Sequence, residues 1–315
     1  KILGALVEKA DVLVENFRPD VKKRLQIDHE SLREFNPKLI YASISGFGQS
    51  GPYSNRPGLD QIAQGLGGLM SITGAPGQGP MRVGIPIADL SAGIFCSLGI
   101  VLALLQREDT GEGRWVHTSL LESQIAMLDF QAARWLVDGE VPSRVGNDHP
   151  TIMPAGVFDT SDGQINIQVS GSKMWQSLCD VLGQSDLAER SEFSTEQQRN
   201  LNRSQLKQQI EQLTCRFSTA ELIGLLHDAG VPSGPVNNIE QTFDDPQVKD
   251  LDMVTGVDHA RLGGLDQIRS PINLSGLRKS DNVAAPELGA DTDSILTELG
   301  MNAEDIQALH EQGVV

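Results

Sequence analysis

Cysteine is scarce: Cys96, Cys179 and Cys215 lie far apart, with no CxxC spacing. An odd, scattered count excludes a disulfide framework and a zinc ribbon and points to a reducing compartment. Long apolar runs are missing too. The most apolar stretch, Ile94–Leu105, has twelve residues, short of the ~18 needed to span a membrane. With Cys96, Ser97 and Gly99 inside it, that stretch reads as a helix buried on most sides. Positive charge is in deficit. The 315 residues carry a net charge of −17, which speaks against general nucleic-acid binding. No GxSxG serine, no GxGxxG after a strand, no metal-ligand cluster and no internal repeat is present. His117 falls in an expected strand, His149 in a connector and His227 on an amphipathic helix, so no histidine pair is set up for catalysis.

The charge that is present is uneven. Residues 1–56 hold nine Lys/Arg and seven Asp/Glu, a net of +2, whereas the remainder carries −19. An anionic ligand is therefore best received near the start of the chain. The sequence opens at Lys1 in the middle of an apolar helical pattern (Ile2, Leu3, Leu6, Val7), with no cap and no signal-peptide pattern. It is expected to begin inside a longer protein.

"ADVLVENF" predicts a short buried strand, and Pro19 opens a helix that ends near Leu25. A second helix follows Asp28 as N-cap, and "KLIYASISGFG" is the next buried strand. Strand, helix, strand with short links predicts an α/β layer on a parallel sheet. Residues 46–58, "GFGQSGPYSNRPG", form a loop, followed by a helix over 60–70. After a second glycine-rich loop, a long apolar helix starts near Asp89, and "WVHTSLLESQIAML" leads into another long helix. Beyond the connector 140–156, "GVFDTSDGQINIQV" predicts a hairpin turning at Ser161–Gly163. Helices then follow over 173–183, 201–214 and "STAELIGLLHDAG", with Ser218 as N-cap. Two short helices flank Gly300. The expected organisation is a large domain over 1–146, a smaller α+β domain over 147–235 and a return to the large domain over 236–315.

Asp89 stands where a glycine-rich loop meets the long helix. It is suited to be an N-cap, or a nucleophilic carboxylate stabilised by the helix N-terminus and activated by loss of hydration. The two roles can coexist, and Gly84 and Gly93 leave room for a bulky substrate. Asp60 is an N-cap or first-turn acid of its own helix, or the partner of Asp89 in acyl transfer, orienting while Asp89 attacks. Asn16, Phe17 and Arg18 end the first strand, where α/β proteins bind ligands. Arg18 and Arg24 suit phosphate and Phe17 suits a purine face, although a solvated helix surface accounts for the same residues. Gly171, between a strand and a helix, is a plain turn or part of a mobile lid whose N–H groups meet an oxyanion.

The run "ADVLVENFRPDVKKRL…NPKLIYASISGFGQSGPYSNRPGLDQIAQGLGGLMSITG…VGIPIADLSAG…TGEGRWVHTSLLES", with the ending "LGADTDSILTELGMNAEDIQALHEQGVV", resembles the class III CoA-transferases along the whole chain. That group includes formyl-CoA transferase, carnitine CoA-transferase, succinyl-CoA-dependent dicarboxylate transferases and α-methylacyl-CoA racemase, and "SGFGQSGPYSNRPG" resembles the dicarboxylate-type members more than the formyl-type ones. The resemblance implies a Rossmann-like large domain with a parallel sheet, a smaller α+β domain and an interlocked homodimer. It implies no permanently bound cofactor. Coenzyme A and acyl-CoA are substrates, alongside a small carboxylic acid, in the cytoplasm or, in a eukaryote, the mitochondrial matrix. By the same resemblance Asp89 matches the nucleophile, Asp60 a second acidic position, Asn16, Phe17 and Arg24 the CoA contacts, and Gly171 a glycine loop over the site. Arg56 either pairs a second carboxylate of the acid or is a surface loop residue.

The family carries a further segment before the point where this chain starts, without which the sheet has an open edge. These 315 residues alone are expected to bind CoA poorly or fold badly. Racemases of the family carry a His where Leu59 stands here, and α-proton transfer needs that base. Acyl-CoA racemisation, or acyl-CoA binding without catalysis, are therefore the alternatives to CoA transfer.

Overall fold

The computed structural model describes residues 2–276 and 283–315. Lys1 and residues 277–282, the latter inside the segment expected to return to the first domain, lie outside the described residues. The chain divides into two compact units: Lys1–Val157 with Arg199–Arg203, and Phe158–Gln198 with Ser204–Val315.

The first unit is built on a parallel sheet of β1 (Val12–Glu15), β2 (Ile40–Ser45) and β3 (Trp115–Ser119), in that order. Glu15 lies opposite Ser43 and Ser45 opposite Ser119, so the three carboxyl ends finish on the same side. The strand–helix–strand order expected from the sequence is thus the observed one. Pro19 opens the helix Pro19–Leu25, which ends at Gln26 in the left-handed region. Asp28 caps His29–Arg33 by accepting from the Ser31 N–H. β2 is central, with Ile40, Tyr41, Ala42 and Ser43 fully buried. β1 is an edge, and Val14 is more than half exposed, a correction to the buried strand expected there. An edge strand buries one face only.

The long helix spans Ile87–Thr110. It packs on β2, β3 and the helices Asp60–Leu66 and Leu120–Ala126 through a narrow face of small residues: Ala88, Ser91, Ala92, Cys96 and Ala103. Ile94, Leu98, Val101 and Leu105 are each more than half exposed. The expectation of burial on most sides is corrected: one face meets the sheet, and nothing among the described residues covers the other. By length and composition alone this helix is long and apolar enough to cross a membrane, a test that the core helix of a soluble protein also passes.

Two helices expected to be continuous are broken. Asp60–Leu66 stops before Leu69–Ile72 because Gly68 turns at φ +86°. The helix after β3 splits into Leu120–Ala126 and Phe130–Asp138, since Asp129 adopts φ +47°, which no α-helix contains.

A second sheet has the order β4 (Ala155–Asp159), β5 (Gln164–Gln168) and β6 (Ser233–Pro235). Phe158, Ile165, Ile167, Trp175, Leu178, Leu206, Ile210 and Leu222 make its core. Ser218 caps Thr219–Asp228 as expected, and Thr292–Glu298 and Ala303–Glu311 flank Gly300. The antiparallel pair β7 (Val254–His259) and β8 (Gly263–Ile268) has no counterpart in the sequence expectations.

A buried ion pair ties β1 to the helix that follows it. Lys22 Nζ lies 2.8 Å from Glu15 Oε1, each side chain 3% exposed, and donates also to Ser43 Oγ at 3.0 Å. The Trp115 and Tyr41 rings flank the ammonium at 5.3 and 5.7 Å. Glu15 Oε2 accepts the Phe17 N–H at 2.8 Å, which fixes the turn leaving β1. Removing the cation strands a buried carboxylate. Lys22→Met is therefore expected to destabilise the chain by about 3–5 kcal/mol in urea unfolding. Lys22→Met with Glu15→Gln should recover a large part of that loss; no recovery would mean that packing, rather than charge, set the cost.

Candidate active site

The site begins with the turn at the end of β2. Ser45 Oγ accepts the Gly48 N–H at 3.0 Å and bends the chain away from the sheet. Gly46 and Gly58 then meet back to back. A Cβ added to either would lie 2.9 Å from the other's Cα, closer than real contacts allow. This glycine pair closes the loop 46–58 at its base and delivers Leu59 and Asp60 to the carboxyl edge of the sheet. Inside the loop Tyr53 meets Phe47 edge-on, and the Arg56 guanidinium lies 3.7 Å from the Tyr53 ring centroid.

Asp60 is the first residue of Asp60–Leu66, yet its carboxylate serves another helix. The helix Ile87–Thr110 follows Pro86, which has no side-chain cap to offer. Asp60 Oδ1 accepts the Ala88 N–H at 2.9 Å and reaches the Asp89 N–H at 3.5 Å, while Oδ2 accepts from Gln64 Nε2 at 2.7 Å. Orphan donors of the long helix are thus satisfied from 28 residues away. Of the two structural roles expected for Asp60 in its own helix, it takes the first-turn place, and Leu59 is the N-cap.

The N-cap role open to Asp89 is corrected: it occupies the first turn rather than the cap. Two of the backbone donors expected to stabilise it are bound to Asp60. Its own carboxylate accepts no hydrogen bond from the described residues, and it is exposed toward the cleft. Partial loss of hydration at the carboxyl, and then the nearby charge of Asp60, push its pKa above the ordinary value of 3.8.

A cleft of about 390 Å³ opens at this edge. Asp89, Asn16, Ser45, Gly46, Gly58 and Leu59 line it, with Ile44 and Leu120 as its apolar floor. Asp89 and Asn16, far apart in sequence, are thus brought together. Phe17 is exposed beside the cleft's Asn16, and Arg24 is exposed on Pro19–Leu25; neither lines the cavity, nor does Arg56. Gly171 belongs to the second unit, where it is the first residue of Gly171–Val181 at φ +79° with open space around its Cα. Sequence reasoning missed Gln64 and Ser45. Gln64 sits four residues after Asp60, a spacing at which a helical Asp–Gln pair bonds, and that spacing was the available signal.

A crevice at the carboxyl edge of a parallel sheet is the place where open α/β folds receive ligands. The chain matches CoA-transferase family III over residues 1–292 and belongs to that family. It is 37% identical over 298 residues to succinate–glutarate CoA-transferase of Agrobacterium fabrum, covering 95% of this chain and 74% of the relative. It is 36% identical over 304 residues to succinyl-CoA:mesaconate CoA-transferase of Haloarcula hispanica, covering 94% and 76%. A crystal structure of a CAIB/BAIF family protein from Brucella suis superposes with a TM-score of 0.83 at 35% identity, covering 95% of this chain and 78% of that one.

The raised pKa of Asp89 has a thermodynamic sign. The folded chain holds this proton to higher pH than the unfolded chain. The associated stability is present below the unfolded value of 3.8 and is lost as pH rises through the folded value. Asp89→Asn is therefore expected to raise the thermal midpoint at pH 7, with the gap narrowing as pH falls through the folded value and closing below 3.8. A midpoint that is lowered at pH 7 would show that the ionised carboxylate is stabilising.

Proposed function

We propose that this protein transfers CoA from an acyl-CoA thioester to a carboxylic acid through an aspartyl-CoA thioester on Asp89. The observation that carries this reading is the state of Asp89. It faces the cleft at the carboxyl edge of the sheet, without a protein hydrogen bond, while Asp60 occupies the helix donors. A carboxylate with few donors keeps its lone pairs available for attack.

In the proposed reaction an Asp89 oxygen attacks the donor thioester carbonyl and expels CoA thiolate, giving a mixed anhydride. The thiolate attacks the Asp89 carbonyl of that anhydride. The donor acid leaves with the former Asp89 oxygen, and aspartyl-CoA remains. An acceptor carboxylate attacks the aspartyl carbonyl and expels the thiolate, forming a second anhydride. The thiolate then attacks the acceptor's carbonyl, and Asp89 departs as carboxylate. One thioester bond is conserved throughout, so no nucleotide is consumed.

Asn16, in the cleft with Asp89, and Phe17 and Arg24 close by in sequence are assigned to CoA: an amide, a flat exposed ring and a cation suit its pantetheine, purine and phosphates. Anchoring these remote parts supplies binding energy to the reacting centre. The relatives act on succinate, glutarate and mesaconate by name, which supports a dicarboxylic acid as acceptor. Arg56, stacked on Tyr53, is a cation for its second carboxylate. Gly171 is assigned to a lid whose backbone donors meet the oxyanion. The apolar stripe of Ile87–Thr110 supports an interlocked homodimer. The return of residues 236–315 to the CoA-binding domain belongs to that assembly. Three free cysteines accord with the cytoplasm or the mitochondrial matrix. Leu59 on the cleft wall offers no base for an α-proton, which disfavours racemisation.

Incubation with succinyl-CoA followed by hydroxylamine or borohydride and peptide mass analysis is expected to mark Asp89 alone. Glutarate added before trapping should discharge the mark and yield glutaryl-CoA. Deuterium entering the α-carbon without any mark on Asp89 would replace this reading with isomerisation.

A further inference from the structure

We propose that Gln64 is a positioning residue for the transfer reaction, holding from one amide both the carboxylate that caps the Asp89 helix and the segment that leads into it. The inference rests on Asp89 being the nucleophile. Gln64 is fully buried. Its Nε2 donates to Asp60 Oδ2 at 2.7 Å and lies 3.4 Å from the Ile85 carbonyl, and its Oε1 accepts the Val83 N–H at 2.9 Å. The amide orientation is determined by these partners. Asp60 and the Ile85 carbonyl only accept and the Val83 N–H only donates, so a flipped amide would oppose like with like at all three. Asp60 in turn holds the Ala88 and Asp89 N–H groups through its other oxygen. The Asp89 backbone is thereby fixed from two directions, by the cap at its own turn and by residues 83–85 just before it.

Gln64 does not line the cleft, so it can act only through Asp60 and the 83–85 segment. A displacement of about 1 Å at a reacting group is enough to cost ~100-fold in rate. Transfer from succinyl-CoA to glutarate in the full-length protein tests the idea. Gln64→Leu removes all three bonds. Gln64→Glu keeps the volume and polarity, and serves where Gln64→Leu does not fold, because its carboxylate cannot donate to Asp60. Either variant is expected to lower kcat by roughly 10–100-fold with KM for succinyl-CoA within about twofold of wild type, since the CoA contacts are untouched. In an Asp60→Ala background the same change should cost much less than it does alone, because the shared route is already broken. A kcat within twofold of wild type, a loss confined to KM, or losses that multiply in the double variant would overturn the role of Gln64 while leaving Asp89 in place. A wild-type protein that forms no adduct on Asp89 and moves no CoA would overturn both.

Discussion

The contact on which the site depends is a carboxylate of one helix capping the start of another. The helix Ile87–Thr110 begins after a proline, and its first donors would be orphaned without Asp60. Side-chain caps are worth about 1 kcal/mol each, but here the placement matters more than the energy. The bond joins two elements 28 residues apart and sets where Asp89 stands. It also removes from Asp89 the donors that a helix N-terminus ordinarily offers an acid. Asp89 is left close to a second negative charge, and its proton is held more tightly than in water. A first-turn aspartate that would otherwise be a quiet structural acid becomes one with a raised pKa facing a cleft.

The rest of the first unit serves that arrangement. Central β2 carries no exposed residue, so its carboxyl end is a rigid platform. The Gly46–Gly58 contact returns the following loop to that platform, and the Lys22–Glu15 pair fixes the turn where Asn16 leaves β1. Buried ion pairs contribute little net stability because both charges lose water, but they impose geometry. The exposed apolar stripe on Ile87–Thr110 is the other face of the same design. A helix whose small residues meet a sheet so closely presents its large residues outward.

The α/β class was legible because "VLVE", "IYASIS" and "WVHTS" are short strand-like runs separated by helices, as right-handed parallel crossovers require. Asp89 was legible from its place at a loop–helix junction, and Asn16 from the end of its strand. What was not legible came from distance in sequence. Capping rules look two or three residues ahead, so they gave no hint that Asp60 caps the helix at Ala88. Gln64 looked like one polar residue among several, since its partner Val83 is 19 residues away. The apolar character of Ile94–Leu105 said that the helix needs cover, but not which element supplies it. The β7–β8 pair went unread because "GVDHARLGGLDQI" alternates weakly and carries three glycines.

The central claim is that Asp89 exchanges an oxygen with the acids it serves. An acceptor acid labelled with ¹⁸O in its carboxylates, supplied with succinyl-CoA for a single turnover, gives the most direct measurement. One labelled oxygen should appear in the peptide containing Asp89, as the second anhydride collapses. Label found in the released succinate, with Asp89 unlabelled, would mean that the two acids exchange CoA without passing through the protein, and would contradict the account.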